Sequence, residues 1–322
     1  MFFSKRALFV STLLASLDVT MAELESVSLS HPDGSSATIL LFGAHVTTFR
    51  AAINPNQDVI FMSKKSFMDG INPIRGGCPI VFPTFAGVPG FPNHGFARVT
   101  NWTLSSSRNA TDKNYPSEAR FTMKASDVTR KMWPVEFELE YTVQLYANQL
   151  KTALLVRNTH TEQFEFNSLL HNYLWVDDIR DGGVAVSGLK GVSYFDQVSK
   201  LNETESRDSI TITNSTAQLG NMYKDAPDKI VATIKGANKQ NRLVTVQKKG
   251  FITSKTGQKA YKTNTDVIVW NPGAERAMKL EDFGQDEYIN MICIEPGRVS
   301  AKQPLPAGET YTLQQTITVS LN

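Results

Sequence analysis

Phe137-Glu-Leu-Glu-Tyr-Thr-Val-Gln-Leu145 alternates without a break: Phe137, Leu139, Tyr141, Val143 and Leu145 are apolar, and Glu138, Glu140, Thr142 and Gln144 are polar. A period of two puts all five apolar side chains on one face, which is the signature of a half-buried β-strand. Ala147-Asn148-Gln149 follows as a turn, and Thr152 to Arg157 reads as a return strand. Phe164 to Val176 is predicted as a third strand, with Phe164 and Phe166 on one face. Ser36 to Phe42, Asp58 to Met62, Arg242 to Gln247, Val267 to Trp270 and Tyr311 to Ser320 continue the pattern. Helical periodicity of useful length is hard to find. Short strands punctuated by Gly, Pro and Asn predict an all-β fold, a large sandwich of mainly antiparallel strands. The polar segments Ser199 to Ser209 and Lys248 to Asn264 are expected to be exposed loops.

The 322 residues, 41% hydrophobic and 20% charged, suffice for a large core. No internal repeat or low-complexity linker divides them, so residues 23–322 are expected to form a single domain. The 33 basic and 31 acidic residues leave a net charge of +2, which provides no field for nucleic acid or an anionic membrane. Cys78 and Cys293 have no partner at metal-ligand spacing and read as buried thiols, a mutual disulfide staying open. Lys5 and Arg6, then the apolar run Ala7 to Leu17 and a short segment ending at Ala22, resemble a signal peptide over residues 1–22. With that segment acting, secretion is expected; a start at Met21 instead leaves a cytoplasmic protein. Sequons at Asn101, Asn109, Asn202 and Asn214 are compatible with secretion. No membrane association of the mature form is expected, and a monomer is.

Four stretches hold candidate chemistry. In Tyr288 to Glu295 the alternation puts Glu295 on the face of Ile289, Met291 and Cys293, and Pro296-Gly297 follows where the strand is expected to stop. Such a glutamate is either open to water or held at a cost that implies a use. Arg75 precedes Gly76 and Gly77, whose bare backbone permits close approach by a ligand, though an arginine tying a loop reads the same way. Asn93-His94-Gly-Phe-Ala-Arg98 follows the Pro/Gly-rich loop Ala86 to Pro92, and two arginines on neighbouring loops suit a phosphate or carboxylate. His171 falls on the face opposite Phe164, Phe166 and Leu170, with Glu165 and Asn167, where a histidine is either a satisfied hydrogen-bonder or an acid.

Taken in order, IRGGCPIVFP from Ile74, NHGFAR from Asn93, HNYLWVDDI from His171 and WNPGAERAMKLEDFGQDEYINMICIEPG from Trp270 resemble the glucose-6-phosphate 1-epimerases, the hexose-6-phosphate mutarotase branch of the aldose 1-epimerase family. The resemblance runs from roughly Leu24 to Ile317. It implies a galactose-mutarotase-like β-supersandwich, with His171 matching the catalytic acid and Glu295 the catalytic base. Arg75 and Arg98 match substrate-contacting arginines, and Asn93 stands where a Gln is usual; His94 and Asp282 are further candidate substrate contacts. It implies a phosphorylated sugar as substrate, with no metal and no cofactor. The pattern departs at Gly220 and Asn221, which stand for an Asp-Arg pair whose Asp contacts the sugar, at Met278 for a Lys, and at Thr84 for a Trp or Gln. Asp225 or Asp282 is a candidate replacement for the missing carboxylate. An aldose 1-epimerase acting on neutral sugars and a non-catalytic carbohydrate-binding protein on the same scaffold stay open as alternatives.

Overall fold

A computed structural model describes residues 23–212, 217–236 and 240–322; the signal-like segment and the Asn214 sequon lie outside them. The strand that opened the sequence reading spans Phe137–Tyr146, and its alternate residues from Phe137 to Leu145 are all buried. Ala147 and Asn148 make a two-residue connection to Gln149–Asn158, with Tyr146 opposite Gln149. This hairpin lies in a ten-stranded antiparallel sheet that also holds Arg242–Thr253 and Thr310–Leu321. An eight-stranded antiparallel sheet is built around Phe164–Leu170, Asp266–Asn271 and Met291–Leu305, and a three-stranded sheet holds His45–Arg50. The helices are short: Asp127–Met132, capped by Ser126, and Gly273–Ala277. No helix among the described residues is long and apolar enough to cross a membrane.

The two large sheets bury one core between them, to which Tyr141, Leu154, Val246 and Leu313 come from one sheet and Phe166, Val269 and Ile294 from the other. Fully burying an aliphatic or aromatic side chain contributes about 1.5–3 kcal/mol, so the sandwich is held chiefly by this layer. The outward face of the eight-stranded sheet is apolar too. Along Asp266–Asn271 and Met291–Leu305 the residues alternate: Val267, Val269, Ile292 and Ile294 enter the central core, while Ile268, Trp270, Met291 and Cys293 enter a second cluster with Phe61, Tyr173 and Phe283. Glu295 follows Met291 and Cys293 in that alternation, so it stands on the second face.

Several local expectations need correction. The strand does not stop at Pro296 but runs Met291–Leu305, and it begins after a 3-10 turn, Glu287–Asn290, that takes up Tyr288 and Ile289. Pro296 pairs with Val267 on one side and meets an open ladder on the other, where no partner needs its missing N–H. Phe164 to Val176 is two strands, Phe164–Leu170 and Tyr173–Trp175, with the break at His171-Asn172. Asp58 to Met62 makes only isolated bridges, because the Asp58 carboxylate takes the Phe49 and Ile60 N–H groups. Lys248 to Asn264 is largely strand: Arg242–Thr253 runs through it and pairs with Ala260–Thr263. Lys248 is buried there because its ammonium donates to the Ala226 carbonyl, the Thr265 carbonyl and the Thr265 hydroxyl. Ser199 to Ser209 is mostly exposed but contains the edge strand Asn202–Thr204 and a buried Glu205 held by Arg207 and Tyr223. Both cysteines are buried free thiols.

Candidate active site

His171 and Glu295 meet through strand register. Leu169 pairs with Gly297 and Tyr173 with Cys293, so an unbroken count sets His171 opposite Glu295. The ladder opens between those pairs: the His171 N–H donates to the Pro79 carbonyl, and the Asn172 amide reaches the Ile294 carbonyl at 2.9 Å and the Gln315 side chain at 2.7 Å. The alternation survives the break, with Asn172 directed toward the central core and His171 on the outward face. His171 Nδ1 lies 3.5 Å from Glu295 Oε1, and both residues are buried. The imidazole stacks on Tyr173 at 4.7 Å between centroids and 6° between planes, and Trp270 and His94 meet it edge-on.

Burial opposes charge on both partners. It pushes the Glu295 carboxyl well above its ordinary range, and it pushes His171 well below, helped by His94, Arg98 and Arg75. Both shifts favour the uncharged pair, a protonated carboxyl beside a neutral imidazole. Its neighbour His94, in the left-handed region at φ 64°, accepts the Ala86 N–H on Nδ1 at 3.1 Å. Burial, then Arg98 and Arg75, lower its pKa to about 3, so the ring is neutral with its proton on Nε2.

The two arginines differ in their partners. Arg75 donates from Nε to Asp282 at 3.1 Å and from Nη1 to the Tyr173 hydroxyl at 3.1 Å. Its loop can pass this close because Gly76 and Gly77 have φ of 108° and 68°, and a Cβ on Gly77 would collide with the His45 ring. Arg98, buried in the 3-10 turn Ala97–Val99, donates twice to the Asn93 carbonyl, at 2.7 and 3.2 Å, rather than to a carboxylate. Burial lowers its pKa to about 10, which leaves it charged at neutral pH.

Arg75, Asn93, His94, Arg98, His171 and Glu295 all line one cavity of about 590 Å³. Asp282 stands behind Arg75 as its counter-charge. Gly220 pairs with Trp270, and a Cβ there would contact Gln197, Gln218 and Trp270, so its face is that of the cavity. Asn221 is not at the site: one residue on, its amide donates to the Tyr223 hydroxyl on the opposite side. Asp225 is bonded to Arg298 at 2.9 Å instead of facing the cavity, and Met278 is exposed away from it. Sequence reasoning missed Trp270 as a wall, Tyr173 as the ring stacked on His171, and Lys200, Gln218 and Arg276 at the rim. The period of two from His171 to Tyr173 signals the stacked ring; nothing local signals the rim residues, of which Arg276 comes from the short helix Gly273–Ala277 and Lys200 and Gln218 from separate loops.

Residues 25–318 match the profile of the family described as aldose 1-epimerase. The chain belongs to the aldose 1-epimerase family. It is 31% identical over 305 residues to a protein of Cenchrus ciliaris named "Putative glucose-6-phosphate 1-epimerase", covering 92% of this chain and 85% of that one. A protein of the same name from Escherichia coli K12 is 30% identical over 302 residues, covering 92% and 91%. Among solved structures, a crystal structure described as a "putative mutarotase" of Salmonella typhimurium superposes with a TM-score of 0.77 at 26% identity, over 93% of this chain and 92% of that one. As a member of the aldose 1-epimerase family, the chain is an epimerase-type isomerase with a galactose-mutarotase-like fold.

Proposed function

We propose that the protein interconverts the α and β anomers of hexose 6-phosphates, glucose 6-phosphate foremost, with Glu295 as base and His171 as acid. The carrying observation is the charge of the cavity: a half-buried Arg75 and a buried Arg98, of which only Arg75 has a carboxylate partner, beside a glutamate whose burial favours its neutral form. A site with that surplus suits a dianionic group, because guanidinium donors match phosphate oxygens. The names of the Cenchrus ciliaris and Escherichia coli relatives agree with this substrate.

In the forward step the Glu295 carboxylate takes the proton from the C1 hydroxyl while the His171 imidazolium protonates the ring oxygen. The bond from C1 to the ring oxygen breaks as the C1 carbonyl forms, giving the open-chain aldehyde. Rotation about C1–C2 presents the other carbonyl face; the C5 hydroxyl attacks it, His171 recovers its proton and Glu295 returns the other. A bound phosphate also serves the chemistry. Arg75 and Arg98 both oppose the imidazolium form of His171, and a dianion between them offsets that opposition and favours the tautomer with the proton on His171. Remote binding energy is thereby spent on the reacting groups.

Relaxation of freshly dissolved α-glucose 6-phosphate, followed by polarimetry, tests the reading. The wild type is expected to accelerate it, and His171→Ala and Glu295→Gln each to lose about 10²–10⁴-fold while staying folded. A folded wild type that binds the sugar phosphate without accelerating its relaxation, or that prefers glucose, overturns it.

A further inference from the structure

Cys293, a thiol that the proposed sugar chemistry does not use, completes a donor set with His171 and Glu295. Cys293 and Glu295 are two apart on one strand and so share a face. His171 lies across from them, and one ligand atom of each of the three residues falls within 4.8 Å of the others. A second, independent feature points the same way: His171 Nδ1 is buried and has no hydrogen-bond partner, although a buried polar atom ordinarily has one. We infer that His171, Cys293 and Glu295 form a binding site for a zinc-like divalent cation, which blocks the enzyme when it is filled.

The donor types are nitrogen, thiolate sulfur and carboxylate oxygen, the set that borderline-soft Zn²⁺ favours over Mg²⁺ or Ca²⁺. Tetrahedral zinc with these ligands needs donors about 3.3–3.8 Å apart, so side-chain shifts of about an ångström close the site. Three protein donors leave a fourth position facing the cavity that His171 and Glu295 line, which supplies both an entry path and a place for water. Binding displaces the Cys293 thiol proton and the Glu295 carboxyl proton, releasing both to solvent with no oxidation. The binding stands on this geometry alone; the loss of turnover rests on the acid–base roles proposed above, since an ion on both groups leaves neither free to move a proton.

Cd²⁺ and Zn²⁺ titrations of the whole protein test this, Cd²⁺ through its thiolate charge-transfer absorption and Zn²⁺ by calorimetry. One ion per chain is expected, with the absorption band present in wild type and lost in Cys293→Ser. The affinity should fall by at least the 10–100-fold, roughly, that loss of even an outer-shell partner costs. Cys293→Ser should keep turnover without metal and lose its sensitivity to zinc. If Cys293→Ser misfolds, Cys293→Ala and the control Cys78→Ser carry the same readouts, with the band expected to survive only in the control. Equal affinity in the Cys293 variants, or a band that disappears with Cys78, overturns the site. Because absorption and calorimetry do not depend on turnover, metal binding by an inactive wild type would contradict only the function.

Discussion

Glu295 and His171 sit in a medium that penalises both of their charged forms, and that fixes how the site responds to pH. Burial raises the carboxyl and lowers the imidazole, so the pair with one proton between them is the uncharged state and the favoured one. Adding a second proton puts a positive charge beside Arg75 and Arg98; removing the first leaves a buried carboxylate. Both changes are resisted, and the plateau between them widens. The sign follows: as pH falls, activity persists through the ordinary histidine range and fails only where the lowered His171 finally takes its proton. kcat/KM, which reports the free enzyme, is expected to be flat through 6.5 with its acid limb below that value. A pH–rate profile with a break at 6.5 would show His171 titrating as a solvated side chain. The limb in kcat should move upward with glucose 6-phosphate, because the bound dianion offsets the two arginines.

A gap in a ladder, rather than a strand, is the element that builds the site. Pro296 cannot donate an N–H, and Asn172 turns its amide inward to the Ile294 carbonyl and to Gln315. That lets His171 leave the pairing while keeping the register that sets it opposite Glu295. Asn172→Ala removes all three of its side-chain bonds and leaves the Ile294 carbonyl and the buried Gln315 amide without them, at a cost of about 1–3 kcal/mol. Denaturant unfolding is expected to show that loss, and kcat/KM to fall with it as His171 loses its support. Undiminished stability would mean that the gap is held by the backbone alone. The alternation from Phe137 to Leu145 made its strand legible, and the same alternation put His171 and Glu295 on their faces correctly. The break itself was not legible, since it depends on a proline and an asparagine more than a hundred residues apart. Nor was the course of Arg242–Thr253 through Lys248, because three acceptors from two other segments take up the ammonium that made the stretch look solvated. The motif residues Arg75, Asn93, His94 and Arg98 line one cavity with His171 and Glu295; Asn221 and Asp225 do not, since one residue of register or one ion pair turns a side chain away.

At the scale of the whole molecule the cavity lies where segments distant in sequence converge on the outer face of the eight-stranded sheet. Arg75 is tied to Asp282 across 207 positions, and the Ser63 hydroxyl to Glu287 across 224. A ligand held by Arg75, Arg98, His171 and Glu295 therefore touches segments that are brought together only in the folded chain, and it binds the native state without binding the unfolded one. Linkage then raises stability by about 2.7 kcal/mol at a ligand concentration a hundredfold above Kd. For a chain of 322 residues the unfolding entropy turns this into a rise in Tm of about 4 °C. Glucose 6-phosphate is expected to produce that rise. Glucose at the same concentration should produce less, because it leaves the charge on Arg98 without a counter-anion in the cavity. Arg98→Met should shrink the difference between the two ligands, Arg75 remaining to hold the phosphate, while leaving the response to glucose largely in place. Differential scanning fluorimetry with both sugars decides it: equal shifts in the wild type would mean that the arginines act on the fold and not on the phosphate.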